Sequence, residues 1–158
     1  MKESFTNTLF PASPANPNHS WEIENGTTIT WERTPSAFID SVAAMRIRMG
    51  FIPGGSENSL ISPNIDISNI SQPVVKFNYA YAKASPNSGN DRLRVLFSTD
   101  CGNSWVQRFN KAGTSLATAS GDLPNFIPSS QAQWTESQFS LPTTNNGYVM
   151  LKFESTSE

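Results

Sequence analysis

The fold of this chain is decided by one continuous stretch, Leu93-Arg94-Val95-Leu96-Phe97-Ser98-Thr99-Asp100-Cys101-Gly102-Asn103-Ser104-Trp105. Apolar residues alternate along its first half, which indicates a half-buried β-strand. The second half follows the pattern Ser-x-Asp-x-Gly-x-x-Trp, which predicts the turn of a β-hairpin. The Asp side chain can accept backbone N–H bonds, Gly102 tolerates a positive φ, and Trp105 can fold back over the turn. We therefore expect an antiparallel β-protein.

The second half of this stretch is known as an Asp box, a motif that indicates a structural turn and does not indicate a catalytic function. Its defining residues here are Ser98, Asp100, Gly102 and Trp105. Sialidases repeat the box once per propeller blade in much longer chains, whereas this chain has one copy in 158 residues. The single copy argues against a sialidase.

Composition limits the class of protein. A chain of 158 residues fits one domain, which can bury roughly two thirds of its unfolded surface. The net charge is −2 and no Lys/Arg run occurs, which argues against a nucleic-acid partner. No apolar stretch approaches the roughly 20 residues of a membrane span. Cys101 is the only cysteine, so no intrachain disulfide forms.

Alternating patterns predict several further strands. Residues 74–82 place Val75, Phe77, Tyr79 and Tyr81 on one face, and Val149, Leu151 and Phe153 alternate in the same way. The pair Asn25-Gly26 predicts a hairpin between residues 21–24 and 27–32. Residues 43–49 favour a strand over a single helical turn, 105–109 complete the Asp-box hairpin, 134–141 form another strand, and 110–127 form a long loop. No helix of ten residues is expected, so the fold class is an all-β antiparallel sandwich.

The order of these segments carries a family resemblance. The segments that carry it are 59–63, 65–68, 75–81 and 90–105, followed by 111–119, 126–129, Trp134 and 151–154. Together they resemble the MAM-like, cleaved-adhesin-like jelly-roll modules of secreted Bacteroidetes proteins. The resemblance covers most of the span from Ser59 to Glu154.

The resemblance implies a jelly roll of the galactose-binding or concanavalin-like kind. It also implies an accessory role, because such modules follow the catalytic domain of pappalysin-like zinc metalloproteases or accompany adhesin domains. Residues 1–158 are then expected to be one module of a larger secreted or cell-surface protein. Such modules continue past the strand of Phe153 into a last strand, which we expect to be missing here or supplied by a neighbouring segment.

The residues themselves do not predict catalysis. A zinc metalloprotease needs two histidines on one helix, and the chain has one, His19, in a proline-rich loop. Cys101 has no partnering histidine and is interpreted as a turn residue. A glycoside hydrolase needs two carboxylates about 5 to 10 Å apart, and the 13 acidic residues select no particular pair. We therefore expect a protein that is not an enzyme.

Binding residues are predicted on the polar sides of the strands. If those strands are neighbours, they form one mostly cationic face from Lys76, Asn78, Arg92, Arg94, Lys152 and Glu154. Guanidinium groups on such a face can form paired hydrogen bonds with carboxylates or hydroxyls. Trp31 and Tyr81 could stack on sugar rings, with a core role as the alternative. The alternative for the whole face is an ordinary solvated sheet surface.

Calcium is a further candidate ligand. It prefers six to eight oxygen ligands, and Asp91, Asp100 and Asn103 supply oxygens in loops, as does the region from Asn87. No Asp-x-Asp-x-Asp-Gly loop is present, and no other cofactor is expected.

The sequence thus predicts a non-catalytic extracellular module that binds carbohydrate or a protein surface. It would position a larger secreted protein, a metalloprotease or an adhesin, on its target. The alternative is a structural spacer that packs against a catalytic domain of the same polypeptide.

Overall fold

The computed structural model of the chain describes residues 2–13, 16–25, 27–37, 39, 42–84, 90–143 and 147–158. Its strands are β1 Glu22–Asn25, β2 Glu32–Thr34, β3 Ala44–Arg46, β4 Glu57–Ile61, β5 Ile65–Asp66, β6 Val74–Tyr79, β7 Arg92–Ser98, β8 Val106–Ala112, β9 Thr135–Ser140 and β10 Tyr148–Thr156. Single 3-10 turns occur at Pro17–His19, Met49–Phe51, Gly113–Ser115 and Gln131–Gln133. The described residues contain no α-helix, and the predicted all-β class is confirmed.

One layer is a six-stranded antiparallel sheet in the order β1-β4-β10-β7-β8, with β5 added to β10. Strand β10 is the middle strand, because β4 and β7 pair along its two edges. Leu60, Phe153 and Val95 stand side by side in this register and point into the core. The predicted alternation of β7 and β10 therefore decides which face of the sheet is buried.

The second layer consists of two separate antiparallel pairs, β6–β9 and β2–β3. The β6–β9 pair packs on β7, β8 and β10 through two apolar clusters. Their buried members are Ile67, Phe97, Val149 and Leu151 in one cluster and Tyr79, Val95, Phe109 and Leu116 in the other. Val75 and Phe77 pack against these clusters, as their alternation predicts. The result is the expected sandwich.

The β2–β3 pair covers another part of the same face of the large sheet. The indole N–H of Trp31, which precedes β2, donates to the backbone oxygen of Asn58 in β4 over 3.2 Å. An aromatic cluster closes this end, with Trp21 lying between Phe10 and Phe153 at ring distances of 5.7 and 6.4 Å. The bond from Trp31 therefore holds the start of β2 against β4.

The predicted hairpin at Asn25-Gly26 is wrong. Strand β1 pairs with β4, with Glu22 opposite Ile61, and residues 27–31 form no strand; Gly26 lies outside the described residues. This pairing places the half-buried Ile23 directly opposite Leu60, which is part of the core. Burial of the strand against the large sheet therefore overrides the local turn preference of Asn-Gly.

Two other boundaries differ from the sequence patterns. Residues 43–49 contain the favoured strand, Ala44–Arg46, and a 3-10 turn then runs from Met49 to Phe51, mostly beyond that range. Strand β8 continues to Ala112, so the long loop begins at Gly113, three residues later than predicted. Strand β8 continues because Asn110, Lys111 and Ala112 pair with β7.

Candidate functional site

The Asp box forms a closely hydrogen-bonded turn between β7 and β8. The Ser98 hydroxyl donates to Asp100 Oδ1 over 2.7 Å and accepts the Gly102 N–H over 2.8 Å. Asp100 also accepts the backbone N–H and the hydroxyl of Ser104 over 2.9 and 2.5 Å. The bond from the Ser104 hydroxyl, followed by that from Ser98, lowers the pKa of Asp100 to about 2. Both carboxylate oxygens are thus engaged within the turn.

Trp105 and Lys152 link this turn to the middle of the large sheet. A Cβ atom at Gly102 would lie 3.6 Å from Trp105 Cζ2, so the indole lies against the turn. The Lys152 ammonium lies 4.4 Å from the centre of the Trp105 ring and 3.9 Å from the Glu24 carboxylate. Trp105 therefore contacts both the turn and a cation of β10.

The outward side of the six-stranded sheet carries rows of charged residues, which we call the outer polar face. Its charged members are Glu22, Glu24, Glu57, Arg92, Arg94, Lys152 and Glu154, all placed on this side by the strand register. Arg94 pairs with Glu154 beside it and with Glu57 over 3.0 Å. Four carboxylates against three cations make this face nearly neutral, which corrects the prediction of a mostly cationic face.

The acidic members of the outer polar face were missed by the sequence reasoning, apart from Glu154. Glu24 and Glu57 lie on β1 and β4, far along the chain from the cations they pair with. The one available signal was the alternation of Glu22, Ile23 and Glu24, which places both glutamates on the side opposite an apolar residue.

Lys76 and Asn78 do not join this face. They lie on β6, in the other layer, where their partners across the ladder are Gln138 and Glu136 of β9. The predicted single face from Lys76 to Lys152 is therefore wrong, because β6 pairs with β9 and not with β7 or β10. Arg92, Arg94, Lys152 and Glu154 are brought together as expected.

Trp31 and Tyr81 are half-buried and lie along the space between the layers. Trp31 donates to Asn58, as described above. The Tyr81 hydroxyl donates to Asp91 Oδ2 over 2.9 Å, and burial, together with this bond, raises the pKa of Tyr81 well above its ordinary value. The structure thus places neither aromatic residue on the outer polar face.

The residues predicted to bind calcium, Asp91, Asp100 and Asn103, do not form a single site. Asp91 precedes β7 and Asp100 follows it, and a seven-residue strand is roughly 20 Å long, too long for one ion to contact both ends. Asp91 is buried and also accepts the backbone N–H of Glu158 over 3.0 Å. No group of three His, Cys, Asp or Glu residues in the described ranges is arranged to hold a metal, and Asn87 lies outside those ranges.

The space between the layers forms an apolar cleft of about 970 Å³. Its floor includes Val149, Leu151 and Phe153 of β10, and its sides follow β3 and β6. Trp21, which is 8% exposed, also borders the cleft, and its indole N–H has no hydrogen-bond partner among the described residues. This cleft lies on the side of the large sheet opposite to the outer polar face.

Solved structures share this fold at low sequence identity. The K2 cleaved adhesin domain of Lys-gingipain (Kgp) aligns with a TM-score of 0.57 and 15% identity over 99% of this chain and 94% of that domain. The carbohydrate-binding module TmCBM61, solved with β-1,4-galactotriose, aligns at 0.56 and 8% identity over 87% and 78%. The K1 domain of Lys-gingipain from Porphyromonas gingivalis W83 aligns at 0.53 and 17% identity over 87% of each chain. These similarities establish that the chain has a β-sandwich fold.

No protein-family model and no curated protein matches the chain. In the described part of the chain, no helix is long and apolar enough to cross a membrane.

Proposed function

We propose that this chain is a non-catalytic extracellular module that binds carbohydrate through its outer polar face. The observation that carries the proposal is the ion-paired arrangement of Arg94 with Glu57 and Glu154, next to the Lys152–Trp105 contact. This arrangement places hydrogen-bond donors and acceptors side by side on the outward side of one sheet, with Glu24 and Glu57 exposed at its edge.

The chemistry of this face suits sugar hydroxyl groups. A hydroxyl donates one hydrogen bond and accepts others, so it can bridge a guanidinium donor and a carboxylate acceptor. Arg94 is held between two carboxylates before any ligand arrives, which lowers the entropy cost of ordering it on binding. A bound sugar would therefore meet side chains that are already oriented.

Charge balance favours a neutral ligand. Four carboxylates and three cations leave no excess of positive charge to attract an acidic polysaccharide. A row of residues across β1, β4, β10 and β7 also presents an extended surface, which suits an oligosaccharide chain better than a single sugar. The shared fold with TmCBM61, whose structure contains β-1,4-galactotriose, supports the choice of a neutral polysaccharide.

We further propose that the host protein is secreted or displayed on the cell surface, as a metalloprotease or an adhesin. The shared fold with adhesin domains of Lys-gingipain supports a role in attachment to a target. The module would then hold a catalytic domain of the same polypeptide close to its substrate. Structural calcium stays a proposal as well, with Asp91 and Asp100 considered separately.

A glycan array tests the carbohydrate proposal. The chain would be probed with neutral glycans, including β-1,4-galactan, and with acidic glycans, in calcium and in chelator. We expect binding to neutral glycans that falls at least about tenfold in Arg94→Ala and Lys152→Ala. Lys76→Ala is the matched control, because Lys76 lies on the other layer. Undiminished binding in both outer-face variants would refute the proposed site.

The second candidate function is a structural spacer, and the apolar cleft is the observation that favours it. Exposed apolar surface marks places where another protein element packs. Failure to bind any glycan, combined with strong binding of a hydrophobic dye, would support the spacer. Glycan binding without dye binding would support the carbohydrate module.

A further inference from the structure

Basic residues are distributed unevenly over the fold. The chain has eleven Lys and Arg residues, and eight of them lie on strands. These eight are Arg33, Arg46, Lys76, Arg92, Arg94, Arg108, Lys111 and Lys152. Three long stretches of sequence, 3–32, 49–75 and 112–151, contain none of the eleven. The last stretch includes the whole connection from β8 to β9, residues 113–134.

Acidic residues do not follow this distribution. Asp100 is exposed in the turn after β7, and Asp122 is exposed in the connection from β8 to β9. Residues 120–125 of that connection are exposed without interruption. The loops therefore accept charged side chains, and the bias towards strands concerns the basic residues.

Three basic residues lie outside the strands. A cut after Lys2 would leave all the strands together. The Arg48 guanidinium pairs with Glu32 over 3.2 Å. Lys83 is half-buried, and its backbone oxygen accepts the Leu123 N–H over 2.7 Å. Both internal residues of this group are thus held by contacts with distant parts of the chain.

A peptide bond inside a β-ladder is a poor substrate for an endoprotease. These enzymes bind several residues on either side of the cleaved bond as an extended segment, so a strand must first leave its neighbours. Cleavage at a strand therefore follows the population of opened molecules, whereas an exposed loop can be cut in the folded protein. Arg92, Arg94 and Lys152 lie on β7 and β10, which pair along both edges, so exposing them requires the large sheet to open.

Some of the basic side chains are also engaged by neighbours. The Arg94 guanidinium pairs with Glu57 over 3.0 Å, and Lys111 Nζ donates to the Tyr79 hydroxyl over 2.7 Å. A protease that cleaves after Lys or Arg must bind this same cationic group in its specificity pocket. It would have to break these contacts before it could cut.

We propose that this module is adapted to persist beside an endoprotease that cleaves after Lys or Arg, as a neighbour that the enzyme does not cut. The fold achieves this by placing basic residues on strands and keeping them out of the exposed connection from β8 to β9. The inference does not rest on carbohydrate binding, because it concerns where the basic residues lie and not what the outer polar face binds.

Limited proteolysis of the folded chain tests the proposal. Trypsin, which cleaves after Lys and Arg, is compared with Asp-N, which cleaves before Asp. Each enzyme is adjusted to digest the unfolded chain at the same rate, and mass spectrometry locates the cuts. We expect Asp-N to cut the folded chain before the exposed Asp122, and trypsin to cut between β1 and β10 at least about tenfold more slowly.

Two variants add one lysine each, on an exposed loop and on an exposed strand. Asn125→Lys adds it to the exposed connection from β8 to β9, close to Asp122, and should create a rapid tryptic cut after position 125 alone. Asn78→Lys adds it at an exposed position of β6, opposite Glu136. Its tryptic rate should stay within about twofold of that of the original chain.

Four outcomes would overturn the proposal. Trypsin could cut the original chain between β1 and β10 as fast as Asp-N does. The two enzymes could be equally slow, which would show that the loops are protected by compactness and not by their lack of basic residues. Asn125→Lys could resist trypsin as the original chain does, or Asn78→Lys could be cut as rapidly as Asn125→Lys.

Discussion

The Lys152 ammonium lies 4.4 Å from the centre of the Trp105 ring, joining the turn after β7 to the middle strand of the large sheet. The Lys152 side chain is 14% exposed, and Ile61 lies beside it in the register with 4% exposure. The aliphatic part of the lysine thus covers a buried residue while its charge contacts an aromatic ring. This one side chain stabilises both the outer polar face and the Asp-box turn.

Replacing Lys152 with methionine should measure how much the charge of Lys152 contributes to the stability of the fold. Lys152→Met keeps an aliphatic stem but loses the cation–π contact, so we expect the free energy of unfolding to fall by about 1 kcal/mol. Urea unfolding followed by tryptophan fluorescence provides the value. Lys76→Met, at an exposed position of β6, should change it by less than about 0.5 kcal/mol. An equal decrease in the free energy of unfolding in the two variants would contradict a stabilising contact between Lys152 and Trp105.

Asp100 should make the protein sensitive to acid. Its folded-state pKa of about 2 lies below its ordinary value of 3.8, so its stabilising contribution is present above about pH 4 and disappears as the pH falls towards 2. We expect Asp100→Asn to flatten the dependence of unfolding free energy on pH across this window. Asp122→Asn, in the exposed part of a loop, should keep the slope of the original protein. The idea fails if the two variants have the same slope.

Tyr81→Phe should destabilise the protein. The variant removes the hydroxyl that donates to Asp91 over 2.9 Å, and Asp91 is 3% exposed, so an acceptor in a buried place loses a partner. A loss of about 1 to 3 kcal/mol is expected in urea unfolding. Tyr148→Phe, at a 46% exposed position, is the comparison variant and should cost less.

Tyr81 should also make the stability of the protein decrease at alkaline pH. Its folded-state pKa is raised, so its contribution is fully present below its ordinary pKa of 10.0 and is lost as the pH rises above that value. Unfolding measured between about pH 9 and pH 12 should show a decline in stability that is smaller in Tyr81→Phe. An identical decline in the variant would show that Tyr81 does not cause it.

Gly147 should tolerate no side chain. Its φ is +70°, and a Cβ atom there would lie 2.8 Å from Ser68 Cβ, which belongs to a neighbouring chain segment. Gly121 has a similar φ of +88° but open space around it. Gly121→Ala should therefore lower the free energy of unfolding by about 1 kcal/mol, because of backbone strain. Gly147→Ala should lower it by about 1 to 3 kcal/mol more, because of the clash with Ser68. Thermal unfolding of the two variants measures this difference, and equal melting temperatures would show that the approach of Ser68 to Gly147 does not affect stability.

Features that depend on neighbouring residues could be predicted from the sequence. The alternation of Leu93, Val95 and Phe97 decides which side of β7 is buried, because side chains on a strand alternate regardless of what the strand pairs with. The hydrogen bonds described for the Asp-box turn likewise join residues between 98 and 104. Both predictions needed no knowledge of distant parts of the chain.

Features that depend on pairing could not be predicted in the same way. Asn25-Gly26 has a strong local preference for a hairpin, yet β1 pairs with β4 and places the half-buried Ile23 opposite the buried Leu60. A common face for Lys76 and Arg94 requires their strands to be neighbours, and β6 instead pairs with β9. Strand order is set by contacts between residues many positions apart, which leave no periodic signal in the sequence.

The sequence by itself determined an all-β sandwich, the inward faces of its main strands and the turn after β7, because these follow from local periodicity and short-range hydrogen bonds. Only the tertiary structure decided that Glu57 and Glu24 pair with Arg94 and Lys152 on the outer polar face, and that β3 and β6 border an apolar cleft over β10. Charge pairing and sheet edges arise from strands distant in sequence, and the packing of the two layers alone brings them together.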